Sequence, residues 1–425
     1  MMTINAMLNA ETLAQSHHGL ALSATIAAPS LDVTVDASDA TAMSILIKTR
    51  SALNSSVLPR LESTEKGVRL STTIGPRYAT VKELGRGGMG EVALVEDRDI
   101  GRPVAMKKLH ASESGPSAVA RFVDEVRTIG SLEHPNIVPI HDVGVDEDGR
   151  FFFVMKYLDG ETLESVIDRL HRGDPAALRE YDMPRRVEIL VGILRALSFA
   201  HERGVIHRDI KPANVMVGKH GEIVLMDWGV ARTLPRSDLN QDAASLRDTC
   251  SDVQRVSSTH AGVLIGTPLY MSPEQAAGLN EQLDARSDLY SVVVLFHEFL
   301  TLQHRLGSET SLVGVLHRIT SEDVDKTELF GASHGIPPEL VWFSLRGLQR
   351  KPGDRWQSAA EMIAELHAIQ AGKIRVQCAM TFMKRMSTES SRAVDNTPKR
   401  TVFAAGTFVF LFLALIAHFI WTVVH

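Results

Sequence analysis

The sequence predicts an α+β chain: a sheet-rich lobe, then a helical lobe, then one C-terminal transmembrane helix. Three observations predict it. Between Tyr78 and Tyr157 apolar and polar residues alternate, the period of half-buried strands. Beyond Glu161 the apolar residues recur at helical spacing, and strands first with helices afterwards is the mark of segregated layers. From Val402 to Val424 almost no polar side chain occurs.

In order along the chain, residues 1–75 are rich in Ala, Ser and Thr, with no Lys or Arg before Lys48. A secretory signal needs basic residues ahead of its apolar run, so this stretch reads as a disordered leader. The globular domain spans 76–370. Thr80–Leu84, Glu91–Glu96 and Pro103–Leu109 read as successive antiparallel strands, punctuated by Gly and Asp. Ala118–Leu132 reads as a helix ended by His134-Pro135. Two strands follow, Ile137–Val143 and Phe151–Tyr157, around an Asp148-Gly149 turn. The helices expected after them are Leu163–His171, Met183–Arg203, Leu289–Leu302, Leu312–Thr320, Pro338–Gln349 and Ser358–Ile369.

Residues 371–400 form a linker with seven Lys or Arg against Glu389 and Asp395. The apolar run after it, within 401–425, would be roughly 34 Å long as a helix, enough to cross a bilayer core of ~30 Å. Trp421 stands near its end, and the basic linker assigns linker and globular domain to the cytoplasmic side. His418 falls near the far interface.

Composition narrows the function. Of 425 residues, 45 are Lys or Arg and 51 Asp or Glu, a net charge of −6, which gives no basic footprint for nucleic acid. Cys250 and Cys378 are the only cysteines, too few for a disulfide framework and outside any zinc-ligand spacing.

The chemistry sits in a few motifs. Gly85-Arg86-Gly87-Gly88-Met89-Gly90-Glu91-Val92 carries the GxGxxG spacing, where missing Cβ atoms let backbone approach phosphates. A dinucleotide fold would open a helix there, whereas the residues after Val92 read as a strand, so the loop is a hairpin lid. Lys107 follows in a strand, placed to reach the α- and β-phosphates of ATP, with Glu125 in the next helix to pair with it. The strongest signal is His207-Arg208-Asp209-Ile210-Lys211-Pro212-Ala213-Asn214, followed by Asp227-Trp228-Gly229. Metal-assisted phosphoryl transfer needs one carboxylate for the hydroxyl proton, which Asp209 fits, and oxygen ligands for Mg²⁺, which Asn214 and Asp227 fit.

These motifs together make Tyr78–Ile369 resemble the eukaryotic-type protein kinases, and most of all the membrane-anchored serine/threonine kinases of bacteria. Gly266-Thr267-Pro268-Leu269-Tyr270-Met271-Ser272-Pro273-Glu274 looks like the end of their activation segment. The resemblance implies a bilobal protein-kinase fold, ATP and Mg²⁺ as cofactors, and protein substrates with Ser or Thr acceptors. It implies that Lys211 contacts the transferred phosphate, that Thr267 braces Lys211 and Asp209, and that Glu274 pairs with Arg355. It implies an adenine pocket of Leu84, Val92 and Ala105 above and Met216 below, with Met155 as gatekeeper and Tyr157 and Leu158 in the hinge. It further suggests activation-segment phosphorylation, with Thr259, Ser258 and Ser257 as sites and Arg208 as their dock, carried out in trans within a homodimer.

Three departures from the family pattern stand out. Trp228 replaces the usual Phe, Val292-Val293 stands where a Gly is usual, and Thr301-Leu302-Gln303-His304 lacks the family's Gly and Pro-Phe. They are the support for the alternative reading, a membrane-tethered pseudokinase scaffold that binds ATP without transfer.

Overall fold

The computed structural model describes residues 60–64, 67–71, 76–87, 90–110, 116–229, 231–233, 268–307, 309, 311–324, 335–373, 375–376 and 380–387, with isolated positions between 407 and 421. Residues 60–64 and 67–71 lie inside the leader expected to be disordered, and they pair as antiparallel strands, β1 (Arg60–Thr64) with β2 (Gly67–Ser71). The pattern Arg-Leu-Glu-Ser-Thr then Gly-Val-Arg-Leu-Ser has the alternation of a strand pair, short enough to be lost in a polar stretch.

The sheet-rich lobe is built from β3 (Tyr78–Arg86), β4 (Gly90–Asp97), β5 (Arg102–Leu109), β6 (Ile140–Val145) and β7 (Phe151–Lys156). Their order is β3-β4-β5-β7-β6, antiparallel throughout. Alternation buries Val95, Val104, Met106, Phe152 and Val154 in a small cluster on one face. The other face meets α1 (Pro116–Gly130), where Phe122 lies 5.5 Å from Phe153, ring centre to ring centre. At the lobe's start Arg77 bonds Asp97 at 2.9 and 3.0 Å and Asp142 at 3.1 Å, tying the entering chain to two strands.

The helical lobe begins with β8 (Gly160–Thr162), α2 (Leu163–His171), α3 (Pro175–Glu180) and α4 (Met183–Glu202). Each of these helices starts where a side chain accepts a free backbone N–H: Thr162, Asp174 and Asp182 cap them in turn. Short strands β9 (Val205–Ile206), β10 (Val215–Gly218), β11 (Ile223–Leu225) and β12 (Arg232–Thr233) carry the loops that follow. Then come α5 (Pro273–Ala276), α6 (Ala285–Thr301), α7 (Leu312–Ser321), α8 (Pro338–Gly347) and α9 (Ala359–Gln370). Helices α4 and α6 are apolar on most sides and sit at the centre of the core, as such helices must. Helix α6 begins four residues ahead of the expected Leu289, because Asp284 caps it and Ser287 and Asp288 are buried inside the fold.

One departure finds a physical answer here, and another shows as backbone strain. A Cβ on Gly347 of α8 would collide with Val293, so the helix facing Val293 supplies the missing space. Leu302 ends α6 at φ 58°, the left-handed C-cap that glycine usually fills, and its N–H bonds the Glu298 carbonyl at 2.7 Å.

Past α9, residues 380–387 form a further helix, α10. Among the described residues no helix is long and apolar enough to cross a membrane. The expected span lies mostly outside the described residues. Its described positions are helical, and Phe410, Leu411, Leu413, Leu415, Ile416 and Trp421 among them are exposed.

Candidate active site

The strands β3 and β4 meet at the glycine loop, with Arg86 paired to Glu91, so the loop is a hairpin tip. Its glycines differ in what they do. A Cβ on Gly90 would strike the Lys108 carbonyl of β5, so Gly90 permits the strands to close. Around Gly85 and Gly87 the space is open, leaving backbone accessible to a ligand. Gly88 lies outside the described residues.

Register then gathers the expected nucleotide residues. Val92 pairs with Lys107, and Ala105 pairs with Met155. Because Ala105 and Lys107 are two apart, all four side chains share one face of the sheet. Leu84 falls at a register shift of β3 and is 41% exposed, facing no core. Tyr157 and Leu158 follow β7 directly, with Leu158 buried, and Met216 lies in β10 opposite Val224 and Thr162.

Lys107 Nζ lies 2.5 Å from Glu125 Oε1 of α1 and 3.5 Å from Asp227 Oδ1. Burial pulls the Lys107 ammonium down, but the two carboxylates outweigh it and hold its pKa above the usual lysine value. Burial pushes the Glu125 carboxyl up, against the pull of Lys107. The lysine is therefore a fixed positive charge at neutral pH, aimed by a carboxylate that is itself 2% exposed.

The segment 207–214 turns sharply between β9 and β10. Arg208 has φ 69°, a strained value for a side chain of its size. Asp288 of α6 holds that strain: its carboxylate accepts the His207 N–H at 2.8 Å and the Arg208 N–H at 2.9 Å. It also bonds His201 Nε2 at 2.8 Å. Burial raises the Asp288 carboxyl, while His201 and these donors lower it further, so it stays ionised. From the other side Gln275 of α5 donates to the Arg208 carbonyl at 2.9 Å. Sequence reasoning missed Asp288 and Gln275. An aspartate in the first turn of an otherwise apolar helix was the available signal for Asp288.

Within this frame Asp209 Oδ2 accepts from Lys211 Nζ at 2.8 Å and from Asn214 Nδ2 at 3.2 Å, and Asn214 also bonds the Asp209 carbonyl at 2.8 Å. The Met226 N–H bonds the Asn214 carbonyl at 2.8 Å, which sets Asp227 beside the loop. Asp227 has φ 57° and its carboxylate is 49% exposed, the most open acid of the group. Gly229 keeps the turn tight: a Cβ there would press on both Asp227 and Glu125 at 3.3 Å. Trp228 is buried, its ring 4.6 Å from that of His207, while His207 bonds the Met226 carbonyl at 3.0 Å. The larger ring thus packs on the loop histidine, with Asp227 3.5 Å from Lys107.

Among the described residues no three His, Cys, Asp or Glu side chains cluster to hold a metal unaided. One open carboxylate plus a neighbouring amide is the donor set suited to Mg²⁺, which keeps waters and takes phosphate oxygens as further ligands. Because Asn214 Nδ2 faces Asp209, its amide oxygen is the atom left for such an ion.

Glu274 and Arg355 meet in two bonds of 2.8 Å, both side chains buried, with Ser287 donating to Glu274 at 2.7 Å. Burial raises the Glu274 carboxyl, yet Arg355 overrides it and the group lies below its usual range. Thr267 and the candidate acceptors Ser257, Ser258 and Thr259 lie outside the described residues.

A family model described as protein kinase domain matches residues 78–366. A probable serine/threonine-protein kinase of Streptomyces coelicolor is 38% identical over 304 residues, 71% of this chain and 41% of its own. The serine/threonine-protein kinase PknB of Mycolicibacterium smegmatis is 35% identical over 304 residues, 71% of this chain and 44% of its own. The kinase pkn3 of Myxococcus xanthus is 33% identical over 337 residues, covering 77% and 56%. The chain thus spans less than half the length of the first two of these relatives.

Proposed function

The chain belongs to the protein kinase family, and from that premise we propose that it is a serine/threonine protein kinase, moving the γ-phosphoryl group of ATP to Ser or Thr hydroxyls of proteins. The observation that carries the reading is the pair of linked constellations, Asp209–Lys211–Asn214 and Lys107–Glu125–Asp227.

Asp209 accepts the acceptor hydroxyl's proton as the oxygen–phosphorus bond forms and the bond to the leaving ADP oxygen breaks. Lys211, already 2.8 Å from Asp209, steadies the transferring phosphoryl charge beside that base. Lys107, aimed by Glu125, holds the phosphates, and the glycine loop covers them with open backbone. Asn214 and Asp227 would hold Mg²⁺, which neutralises charge on the phosphate oxygens when bound. The apolar face of Val92, Ala105 and Met155 excludes water from the adenine side.

A scaffold without transfer would fit better if any of Lys107, Asp209, Asn214 or Asp227 were replaced, and all four stand in place with their partners. Two of the three departures that spoke for it, Val293 and Trp228, are absorbed by packing at Gly347 and at the His207 ring.

The same reading includes tethering through 402–424 with the kinase domain at the cytoplasmic face, and autophosphorylation at Thr259, Ser258 or Ser257 between two copies. The basic linker and the exposed apolar residues of the run support the tether. Incubating the full chain in detergent with labelled ATP, Mg²⁺ and a generic protein acceptor tests the activity. Label recovered as phosphoserine or phosphothreonine is expected; label only on tyrosine, or none from protein that binds Mg-ATP, refutes it.

A further inference from the structure

The segment after α9 carries a surface that phosphoryl transfer does not use. Helix α10 lies on the base of the helical lobe, with Lys384 Nζ 2.5 Å from Glu339 Oε1 of α8 and Thr381 fully buried. Just ahead of it Arg375 pairs with Glu365 of α9 at 3.0 Å. Two cations of the linker are thereby seated on carboxylates of the lobe, and Lys384 with the buried Thr381 turns one side of α10 toward it.

What faces outward is then fixed. At ~100° per residue, Phe382, Met383 and Met386 project from the side opposite Thr381 and Lys384. They are 49%, 70% and 52% exposed, and Met380 at the rim is 62% exposed. Arg385 is exposed as well. An exposed apolar stripe with an exposed arginine at its edge, on the outward side of a docked helix, suits a helix that lies in a bilayer interface.

We propose that this face of α10 rests on an anionic bilayer surface, and that the docking of Lys384 on Glu339 holds the helical lobe against that surface. The inference rests on the tethering reading above. Two observations select the occupant. Only residues 388–401 separate α10 from the apolar run, so a membrane holding the run is within ~50 Å of the helix even with the chain fully extended. Setting aside Arg375 and Lys384, which pair with the lobe, the linker 371–400 carries five Lys or Arg against two acids, a charge complementary to acidic headgroups. The catalytic cleft would then be held in a set orientation to the membrane, favouring substrates that are themselves at its surface.

The test uses the full chain with Cys250→Ser, Cys378→Ser and Met383→Cys, a polarity-sensitive fluorophore on the new thiol, and vesicles of phosphatidylcholine with or without phosphatidylserine. Flotation with both vesicle types is expected, with a blue shift of emission only when phosphatidylserine is present. High salt should abolish the shift by screening. Phe382→Asp with Met386→Asp should abolish it too, while flotation and phosphate transfer persist. Flotation with equal emission in the two vesicle types overturns the proposal and leaves the tether standing. A blue shift in detergent that grows with protein concentration assigns the face to a second copy and also overturns it. Failure to float with either vesicle type overturns the tether and the proposal together.

Discussion

Individual side chains show where folding and function conflict. Arg208 and Asp227 hold positive φ, and both are pinned by bonds to or beside the loop they serve, so their strain is part of the site. Leu302 holds positive φ with no such duty. Leu302→Gly relieves about 1 kcal/mol of left-handed strain but strips a side chain packed on the main core, worth about 1.5–3 kcal/mol when fully buried, so a lower denaturant midpoint at unchanged slope is expected. His297 and His304 are a second case. Burial, with Arg305 beside them, lowers each from 6.5 to about 4. The unfolded chain takes up protons that the fold refuses, so stability is full above pH 6.5 and falls as pH drops toward 4. The loss should be about 2–3 kcal/mol per histidine, visible as a falling unfolding temperature across that window. At this scale the sequence was legible where chemistry needs a rare residue type in a fixed order, as in Asp209 to Asn214. It was nearly mute about Asp288 and Gln275, which act through backbone groups of the loop, and about His201, which bonds the Asp288 carboxylate.

Among elements, the spacing of apolar residues located α2 at Leu163–His171 without error, because Thr162 caps it and its buried face repeats every three to four residues. Periodicity failed where helices are buried on most sides, and α6 began earlier than its apolar pattern because it takes Ser287 and Asp288 into the core. The small strands β8 to β12 are two to four residues long, too short for any period to declare itself. The contact of α6 with α8 is a joint adaptation that a single sequence cannot announce: Val293 is tolerable only because Gly347 faces it. Gly347→Ala should cost about 1–3 kcal/mol by overpacking, checked by denaturant unfolding, and Val293→Gly in the same chain should recover part of that loss. If Gly347→Ala alone proves neutral, the two helices are not in the close register described.

In the described fold the sheet-rich and helical layers share one core, and each contributes half of the proposed site. The sheet lobe presents Lys107 and the glycine loop, and α1 adds Glu125. The helical lobe presents Asp209, Lys211, Asn214 and Asp227, hung on Asp288 at the centre of its core. Strands first and helices afterwards made this division readable from the sequence, since each layer has its own period. The pairing of β1 with β2 was not, because its apolar residues are few. In the proposed function this joined site transfers phosphate with Asp209 as base. The most direct measurement compares the full chain with Asp209→Asn for Mg-ATP binding and for transfer of labelled phosphate. Equal binding with transfer reduced by about 10²–10⁴-fold in the variant is the result the account requires. Equal binding with equal transfer would contradict it.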